Sequence, residues 1–240
     1  MHYARPDARR YPGEQFVMTK QARPVERDRL NREAIVTSAI ALADAEALDA
    51  VTIRRLARDQ AVTPMALYWH FRDKEKLFCG IAERLFDTVI LPAPAGDWVD
   101  QLRDFLQAFL AAIRPHAPVA GLVLRRALES EAGLSVAEHL LGLLRSAGFS
   151  PEQAPGICSY LLSAITTLVT TEPRPERVLD PETRDAAIRT KRANLGSLDP
   201  RRFPNVIVSA DALASRASEE SYYSLGVELL VQGVRGIQPR

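Results

Sequence analysis

The chain has 240 residues, which is enough for one small and one mid-sized domain with proper cores. Its composition, 47% apolar and 25% charged, is typical of a soluble globular protein, and it lacks any uncharged apolar run of about 18 residues, so no membrane span is predicted. The N-terminus carries arginines instead of an apolar segment, which argues against a secretory signal and predicts a cytoplasmic location. A net charge of +1 does not by itself indicate nucleic acid as a partner.

The two cysteines do not predict a metal site. Cys79 and Cys158 stand alone in predicted helices, with no C-x-x-C motif and no histidine at ligand spacing. We interpret both as small buried apolar residues, and we predict no metal or other cofactor.

Residues 1–28 predict a disordered basic arm, because arginines and prolines dominate and apolar residues are few. One interpretation is a solvated tail or a misassigned start, since Met18 can itself begin a protein. The other is an arm that helps the following domain to bind its target.

The first predicted helix covers about residues 31–45, where small apolar residues share one face and Asn31 is placed to cap it. A second, short helix begins at Thr52, and its residues Ile53, Leu56 and Ala57 share a face at spacings of three and four. Thr63 is a good N-cap, and Pro64 suits the first position of a third helix.

On the third helix, Leu67 and Phe71 repeat the inward spacing. Met65, Tyr68 and Trp69 then project outward, which is an unusual set of large side chains for a surface that meets only water. A tight helix-turn-helix with an exposed aromatic face suits a surface that meets phosphates and base edges. From Val51 to Lys76 there are six basic and three acidic residues, so the local charge is positive.

This segment resembles the TetR family of bacterial transcriptional regulators, whose signature is a helix-turn-helix that ends in Leu-Tyr-Trp-His or a close variant and is followed by a lysine. Two positions depart from the family pattern, Gln60 where an apolar residue is common and Ala61 where glycine is common. Alanine in a left-handed turn costs on the order of 1 kcal/mol, so the turn is expected to be slightly reshaped. The matching residues are Thr52, Arg54, Leu56, Ala57, Val62, Leu67, Tyr68, Trp69, His70 and Lys74.

The resemblance implies DNA-contacting roles for ten residues. Those at the start of the recognition helix would touch base edges and choose the operator sequence, and Arg54 would reach a guanine. Thr52, Trp69, His70 and Lys74 would face phosphates; the alternative for Trp69 and His70 is that they wedge the helix against its neighbours. The N-terminal arm would then lie in the minor groove, unless it is only a tail. The base-edge set is Thr63, Pro64, Met65, Ala66 and Tyr68.

Further along, Asp73 is placed to cap a fourth helix that reaches about Val89. Prolines and a glycine in residues 92–96 break it and mark a domain boundary, so residues 29–90 are predicted as the DNA-binding domain and residues 97–240 as a second domain. Everything in the second domain reads as helix, without an alternating strand pattern. The predicted fold is all-α and TetR-like, with a three-helix head and a larger helical C-terminal domain. Its predicted helices cover about residues 98–113, 118–128, 131–146, 150–171, with Ser150 as the cap, and 219–234.

The resemblance also implies a small-molecule effector among the central helices, with the fourth helix moving as a lever. Ordinary core packing would give the same apolar periodicity, so that alternative stays open. A Mg²⁺-chelated tetracycline would need histidines near residues 86–90 and 121–124, where there are none. An apolar or aromatic effector is expected instead. The pocket residues predicted are Leu85, Ile90, Trp98, Phe105, Phe109, Leu122, Leu140, Leu144, Ile165 and Thr166.

Two C-terminal helices of TetR-like proteins pair with their copies in a second subunit. The last helix here resembles one of them, and Gly226 and Gly233 share a face that permits close helix approach. The alternative is that this helix only packs in its own core. The predicted dimer interface comprises Tyr160, Tyr222, Gly226, Leu229, Leu230 and Gly233.

Prolines punctuate residues 171–205, although residues 184–192 can form a polar helix. We interpret the segment as a poorly ordered surface excursion, the alternative being a mobile gate over the pocket. The function expected is a homodimeric, ligand-responsive repressor that binds a palindromic operator in double-stranded DNA and has no membrane partner. Two alternatives are kept: a TetR-fold activator or protein-interaction regulator, and an all-α enzyme, for which the few histidines and the lack of a phosphate loop offer little chemistry.

Overall fold

The computed structural model describes residues 31–172, 180–215 and 218–237. The predicted N-terminal arm lies outside these residues. The regular secondary structure in the described ranges is helical throughout, which confirms the all-α fold class. In chain order the helices are α1 (Arg32–Glu46), α2 (Ile53–Asp59), α3 (Pro64–Tyr68), α4 (Lys74–Asp87), α5 (Trp98–Ile113), α6 (Ala117–Arg126), α7 (Glu131–Ser146), α8 (Ala154–Thr170), α9 (Pro181–Gly196), α10 (Pro204–Val208), α11 (Ala210–Ala214) and α12 (Glu219–Arg235).

Helix α1 begins where the sequence predicts. The Asn31 side chain accepts a hydrogen bond of 2.7 Å from the Ala34 N–H and so satisfies one of the first-turn donors. The helix ends at Ala47, whose φ of 80° and ψ of 165° lie in a region that is nearly restricted to glycine. The chain can therefore turn sharply into a 3₁₀ turn, Leu48–Ala50, that leads to α2.

The turn between α2 and α3 closes around Ala61. Its φ of 54° places it in the left-handed region, while its N–H donates to the Arg58 carbonyl at 3.1 Å and the Val62 N–H donates to the Ala57 carbonyl at 2.9 Å. These two bonds form a Schellman motif, which satisfies carbonyls at the end of α2. The predicted left-handed alanine is confirmed, and the turn keeps the geometry that glycine more often supplies.

Helix α4 connects the head to the rest of the chain. Asp73 caps it by accepting a bond of 2.8 Å from the Lys76 N–H, as predicted. One side of α4 packs against α1, and other parts of it pack against α6 and α7. The buried residues of the head and of the C-terminal half consequently belong to one continuous apolar core.

The C-terminal half is a bundle in which α5, α7, α8 and α12 pack on one another and α6 lies between α4 and α8. Apolar side chains such as Phe105, Phe109 and Ile165 are fully buried at its centre. Helix α7 ends at Ser146, and Gly148, two residues further on, has a φ of 95° that permits a second Schellman motif. No helix in the described ranges has both the length and the apolar character needed to cross a bilayer.

The sequence prediction for the start of α8 is wrong. Ser150 does not cap α8, because the N–H groups of Glu152 and Gln153 donate to its hydroxyl in a preceding turn and the helix begins only at Ala154. The polar helix expected over residues 184–192 is confirmed and is longer than expected: the described part of the proline-rich segment, residues 180–205, contains α9 and the start of α10. Prolines here occupy first-turn positions, where they favour helix initiation.

Helices α9, α10 and α11 pack chiefly against one another. Helix α9 has no buried residue, and Ala210 and Ala214 are the buried residues of α11. Neither alanine belongs to the continuous core. These three helices therefore form a surface excursion, but a helical one.

Candidate nucleic-acid interface

The third helix has a buried face and an exposed face, as the apolar spacing predicts. Leu67 and Phe71 are fully buried in the head. Met65, Tyr68 and Trp69 are 65%, 47% and 84% exposed. Such large apolar side chains are rarely left in solvent together, so this face is suited to a partner surface.

The exposure of Trp69 decides between two interpretations of that residue. A side chain that is 84% exposed does not wedge α3 against its neighbours, so the wedge interpretation of Trp69 is wrong. His70 is half-buried in the turn that follows α3, and its backbone N–H donates to the Leu67 carbonyl at 2.9 Å. Both assignments to phosphate contact stay predictions.

Two threonines hold the starts of α2 and α3. The Thr52 hydroxyl accepts from the Arg55 N–H at 3.1 Å, and the Thr63 hydroxyl accepts from the Ala66 N–H at 3.3 Å. Each hydroxyl keeps its own proton for donation to another acceptor such as a phosphate oxygen. Both residues are exposed, so capping and a partner contact are compatible.

Two adjacent arginines on α2 differ in their surroundings. Arg55 donates to both carboxylate oxygens of Glu46, at 2.7 and 2.8 Å, and to Asp59 at 2.7 Å. The hydrogen bonds from Arg55 hold the pKa of the Glu46 carboxyl below its usual value. Arg54 is exposed and makes no ion pair within the described ranges, so its guanidinium is available to a partner. The brace from Arg55 to Glu46 was not predicted.

Lys74 opens α4 beside α3, and its ammonium lies 4.9 Å from the centre of the Phe78 ring. It is exposed, like Pro64, whereas Ala66 is half-buried. The structure thus brings the predicted contact residues together on α2, α3 and the first turn of α4. Apart from Ala66 and His70, they are exposed.

The head is joined to the C-terminal half by polar side-chain contacts at both ends of α6. Near its start, Nδ1 of His116 lies 2.7 Å from a carboxylate oxygen of Asp44 on α1. At its other end, the Arg126 guanidinium contacts Glu75 in the first turn of α4. Neither contact was predicted, because the partners are 72 and 51 residues apart in sequence.

The predicted effector residues lie in the interior with one exception. Ile90 is 84% exposed in the segment after α4, so its assignment to a pocket lining is wrong. Trp98 is half-buried, and its ring meets Phe149 edge-to-face at 6.2 Å. The buried residues among them are Leu85, Phe105, Phe109, Leu122, Leu140, Leu144, Ile165 and Thr166.

The predicted dimer residues fall into two groups. Tyr160 and Leu229 are 69% and 65% exposed, and Gly233 has open space around it. Gly226 instead packs against Leu168 of the same chain, where a Cβ would lie 2.5 Å from a Leu168 methyl carbon. Its assignment to the dimer face is therefore wrong. Tyr222 also faces its own chain, since its hydroxyl donates to the Leu168 carbonyl at 3.3 Å.

Between α8 and α12 lies a surface groove with a volume of about 430 Å³. Apolar side chains dominate its lining, and two glycines, Gly156 and Gly233, keep its walls low. The other lining residues are Ile157, Tyr160, Leu161, Leu229, Leu230, Val234 and Ile237.

A capped helix-turn-helix with an exposed apolar and basic face, carried by a larger helical half, defines a DNA-binding protein of the regulator class. Comparison with known proteins agrees. Residues 35–80 match the family model of bacterial regulatory proteins of the tetR family, and residues 91–237 match the tetracyclin repressor-like C-terminal domain. The chain belongs to the TetR family of transcriptional regulators.

Individual relatives are similar along most of the chain. The tetracycline repressor protein class E of Escherichia coli is 26% identical over 208 residues, which cover 85% of this chain and 90% of the repressor. The TetR family protein ActR of Streptomyces coelicolor, solved with actinorhodin, is 26% identical with a TM-score of 0.70, covering 86% of this chain and 97% of ActR. BioQ, solved with its double-stranded DNA operator, shares the fold at 20% identity, with a TM-score of 0.57 and coverage of 87% and 99%.

Proposed function

We propose that this TetR-family regulator is a homodimeric repressor that binds a palindromic operator and is released from it by a small apolar or aromatic effector. The observation that carries the proposal is the outward set Met65, Tyr68 and Trp69 on and just after α3, beside Arg54, which has no ion-pair partner among the described residues. Met65 and Tyr68 are suited to thymine methyls and base edges. Arg54 is suited to a guanine.

The groove between α8 and α12 supports association of two copies. Tyr160, Leu225 and Leu229 are all more than 60% exposed along it or beside it. Burying such side chains against a second copy would remove apolar area from water at about 25 cal/mol per Å². Two heads related by a two-fold axis meet successive major grooves when they are about 34 Å apart, which requires a nearly palindromic site.

The character of the interior supports an organic effector. Phe105 and Phe109 stack with parallel rings, and His139 stacks on Phe105 at 5.7 Å. An aromatic ligand could replace such ring contacts with its own. ActR, a similar protein, is solved in complex with actinorhodin, which is in keeping with this class of effector.

The direct test is a footprint on the promoters of the chain's own gene and its neighbour. Repression requires a protected palindrome that overlaps a promoter, with neighbouring transcript levels that rise when the protein is deleted. Transcripts that fall on deletion would assign activation instead. Failure to protect any palindrome would contradict sequence-specific regulation, and a turnover lost in His116→Ala or His139→Ala would favour an enzyme.

A further inference from the structure

The guanidinium of Arg126 lies at the point where the head meets the C-terminal half. Its side chain is 14% exposed although it ends the short helix α6. One of its terminal nitrogens contacts the Glu75 carboxylate. The other lies 3.1 Å from a carboxylate oxygen of Glu129 and 3.1 Å from the sulfur of Cys79.

These partners belong to different halves of the molecule. Glu75 and Cys79 lie on the first two turns of α4, directly after the helix-turn-helix. Glu129 lies in the 3₁₀ turn that joins α6 to α7. Because a guanidinium presents several donors in a fixed plane, it can hold carboxylates from two elements at once, which a lysine cannot reproduce.

The turn that carries Glu129 is itself held closely against α4. A Cβ at Gly133, in the first turn of α7, would lie 2.1 Å from the Ala127 carbonyl oxygen and 3.1 Å from the Phe86 ring. Only glycine allows this approach. The start of α7 therefore packs tightly against both the 3₁₀ turn and α4. A shift of the turn must therefore move the partners of Arg126 or break their contacts.

We propose that Arg126 is a positioning residue that ties operator affinity to the conformation of the α6–α7 turn. It fixes the first turn of α4, and with it α3, relative to the effector half. The proposal rests on the proposed function, since its output is operator binding. The contact between His116 and Asp44 joins the opposite end of α6 to the head.

Loss of Arg126 does not strand a buried charge, because the Glu75 and Glu129 carboxylates are themselves exposed. What is lost is the geometric tie that one guanidinium makes between α4 and the α6–α7 turn. The head then samples orientations that do not fit the operator. The apparent operator affinity falls in proportion to the fraction of molecules whose head keeps the orientation that fits the operator.

The experiment uses the full chain with Arg126→Gln, Arg126→Lys and Glu75→Gln. Arg103→Gln is the matched control, since Arg103 also joins two carboxylates, Asp100 and Glu228, but both lie in the C-terminal half. Hydrogen exchange of the α4 amides and operator affinity, by fluorescence anisotropy on the footprinted site, are measured in parallel. Glu75→Gln changes an exposed side chain and keeps the test valid if Arg126→Gln folds poorly.

In Arg126→Gln we expect exchange in the first two turns of α4 to accelerate and operator affinity to fall by about fivefold or more. Arg126→Lys should recover part of the loss, and Glu75→Gln should add little in the Arg126→Gln background. The control should match the wild type in both readouts. Unchanged hydrogen exchange in α4 of Arg126→Gln would overturn the proposal that Arg126 holds α4, whatever the operator affinity.

If exchange in α4 of Arg126→Gln is faster but operator affinity stays within about twofold of wild type, the role of Arg126 in positioning the head is overturned. Both results leave the proposed function standing. That function fails only if the wild-type chain protects no operator.

Discussion

Gly226 of α12 lies against Leu168 of α8 so closely that no side chain fits between them without movement, because a Cβ would be 2.5 Å from a leucine methyl carbon. Gly233, two turns further along the same helix, has nothing within 4 Å of that position. One glycine therefore serves the fold of the single chain, and the other leaves the groove between α8 and α12 open.

This difference predicts opposite consequences for one substitution. Gly226→Leu should destabilise the folded chain by about 1 to 3 kcal/mol through overpacking. Gly233→Leu, which meets no obstacle and gains helix propensity, should not lower that stability but should weaken association. Both changes gain similar helix propensity, so each is the control for the other. Urea unfolding and sedimentation equilibrium distinguish them, and an intact dimer in Gly233→Leu would contradict the interface proposed.

Tyr68 and Lys74 should contribute to operator binding in different ways. Tyr68→Ala should weaken binding to the operator more than binding to unrelated DNA, because a base-edge contact is lost. Lys74→Ala should weaken both and lower the salt slope of log K by about 1, since one phosphate contact is lost. Lys191→Ala, on the exposed face of α9, is the control. A slope unchanged by the Lys74 substitution would place that lysine away from DNA.

The two left-handed alanines should be sites of stored strain. Ala61→Gly should stabilise the chain by up to about 1 kcal/mol, because glycine adopts a φ of 54° without steric cost. Ala47→Gly should stabilise it more, by about 1 to 3 kcal/mol, since its φ and ψ fall where residues other than glycine are rare. Thermal unfolding measures both. Ala66→Gly, inside α3, is the control and should be destabilising.

Stability should decline at alkaline pH through Tyr223. Burial and the nearby Glu172 carboxylate raise the pKa of Tyr223 to about 12 from an ordinary value of 10.0. The folded state therefore holds this proton more tightly than the unfolded state, so its contribution is full below about pH 10 and is lost between about pH 10 and 12. Tyr223→Phe should flatten this decline in urea titrations, and Tyr68→Phe, an exposed control, should not.

Local sequence signals were enough for much of the fold. Asn31, Thr63 and Asp73 cap the helices that they were expected to cap, because capping depends on residues only three positions away. The expectation that Ser150 caps α8 failed because it rested on local sequence alone. Ser150 forms a turn first, and nothing nearby in sequence distinguishes a turn from a helix start.

Signals for the site were less complete. The i, i+4 spacing of Arg55 and Asp59 was visible in the sequence, but the bonds to Glu46 depend on how the chain folds back at Ala47. The junctions at His116 and Arg126 join partners more than 50 residues apart, so no periodicity encodes them. Ile90 and Gly226 were misplaced because apolar spacing gives a face but not the neighbour that covers it.

The separation of α3 into a buried and an exposed face also bears on how such a protein changes over generations. Leu67 and Phe71 hold the helix in the core, while Pro64, Met65 and Trp69 contribute no packing that the head requires. Substitutions among the exposed residues can accumulate at little cost to folding. A duplicated gene could thus acquire a new target site by a few changes among these exposed residues while every intermediate sequence still folds.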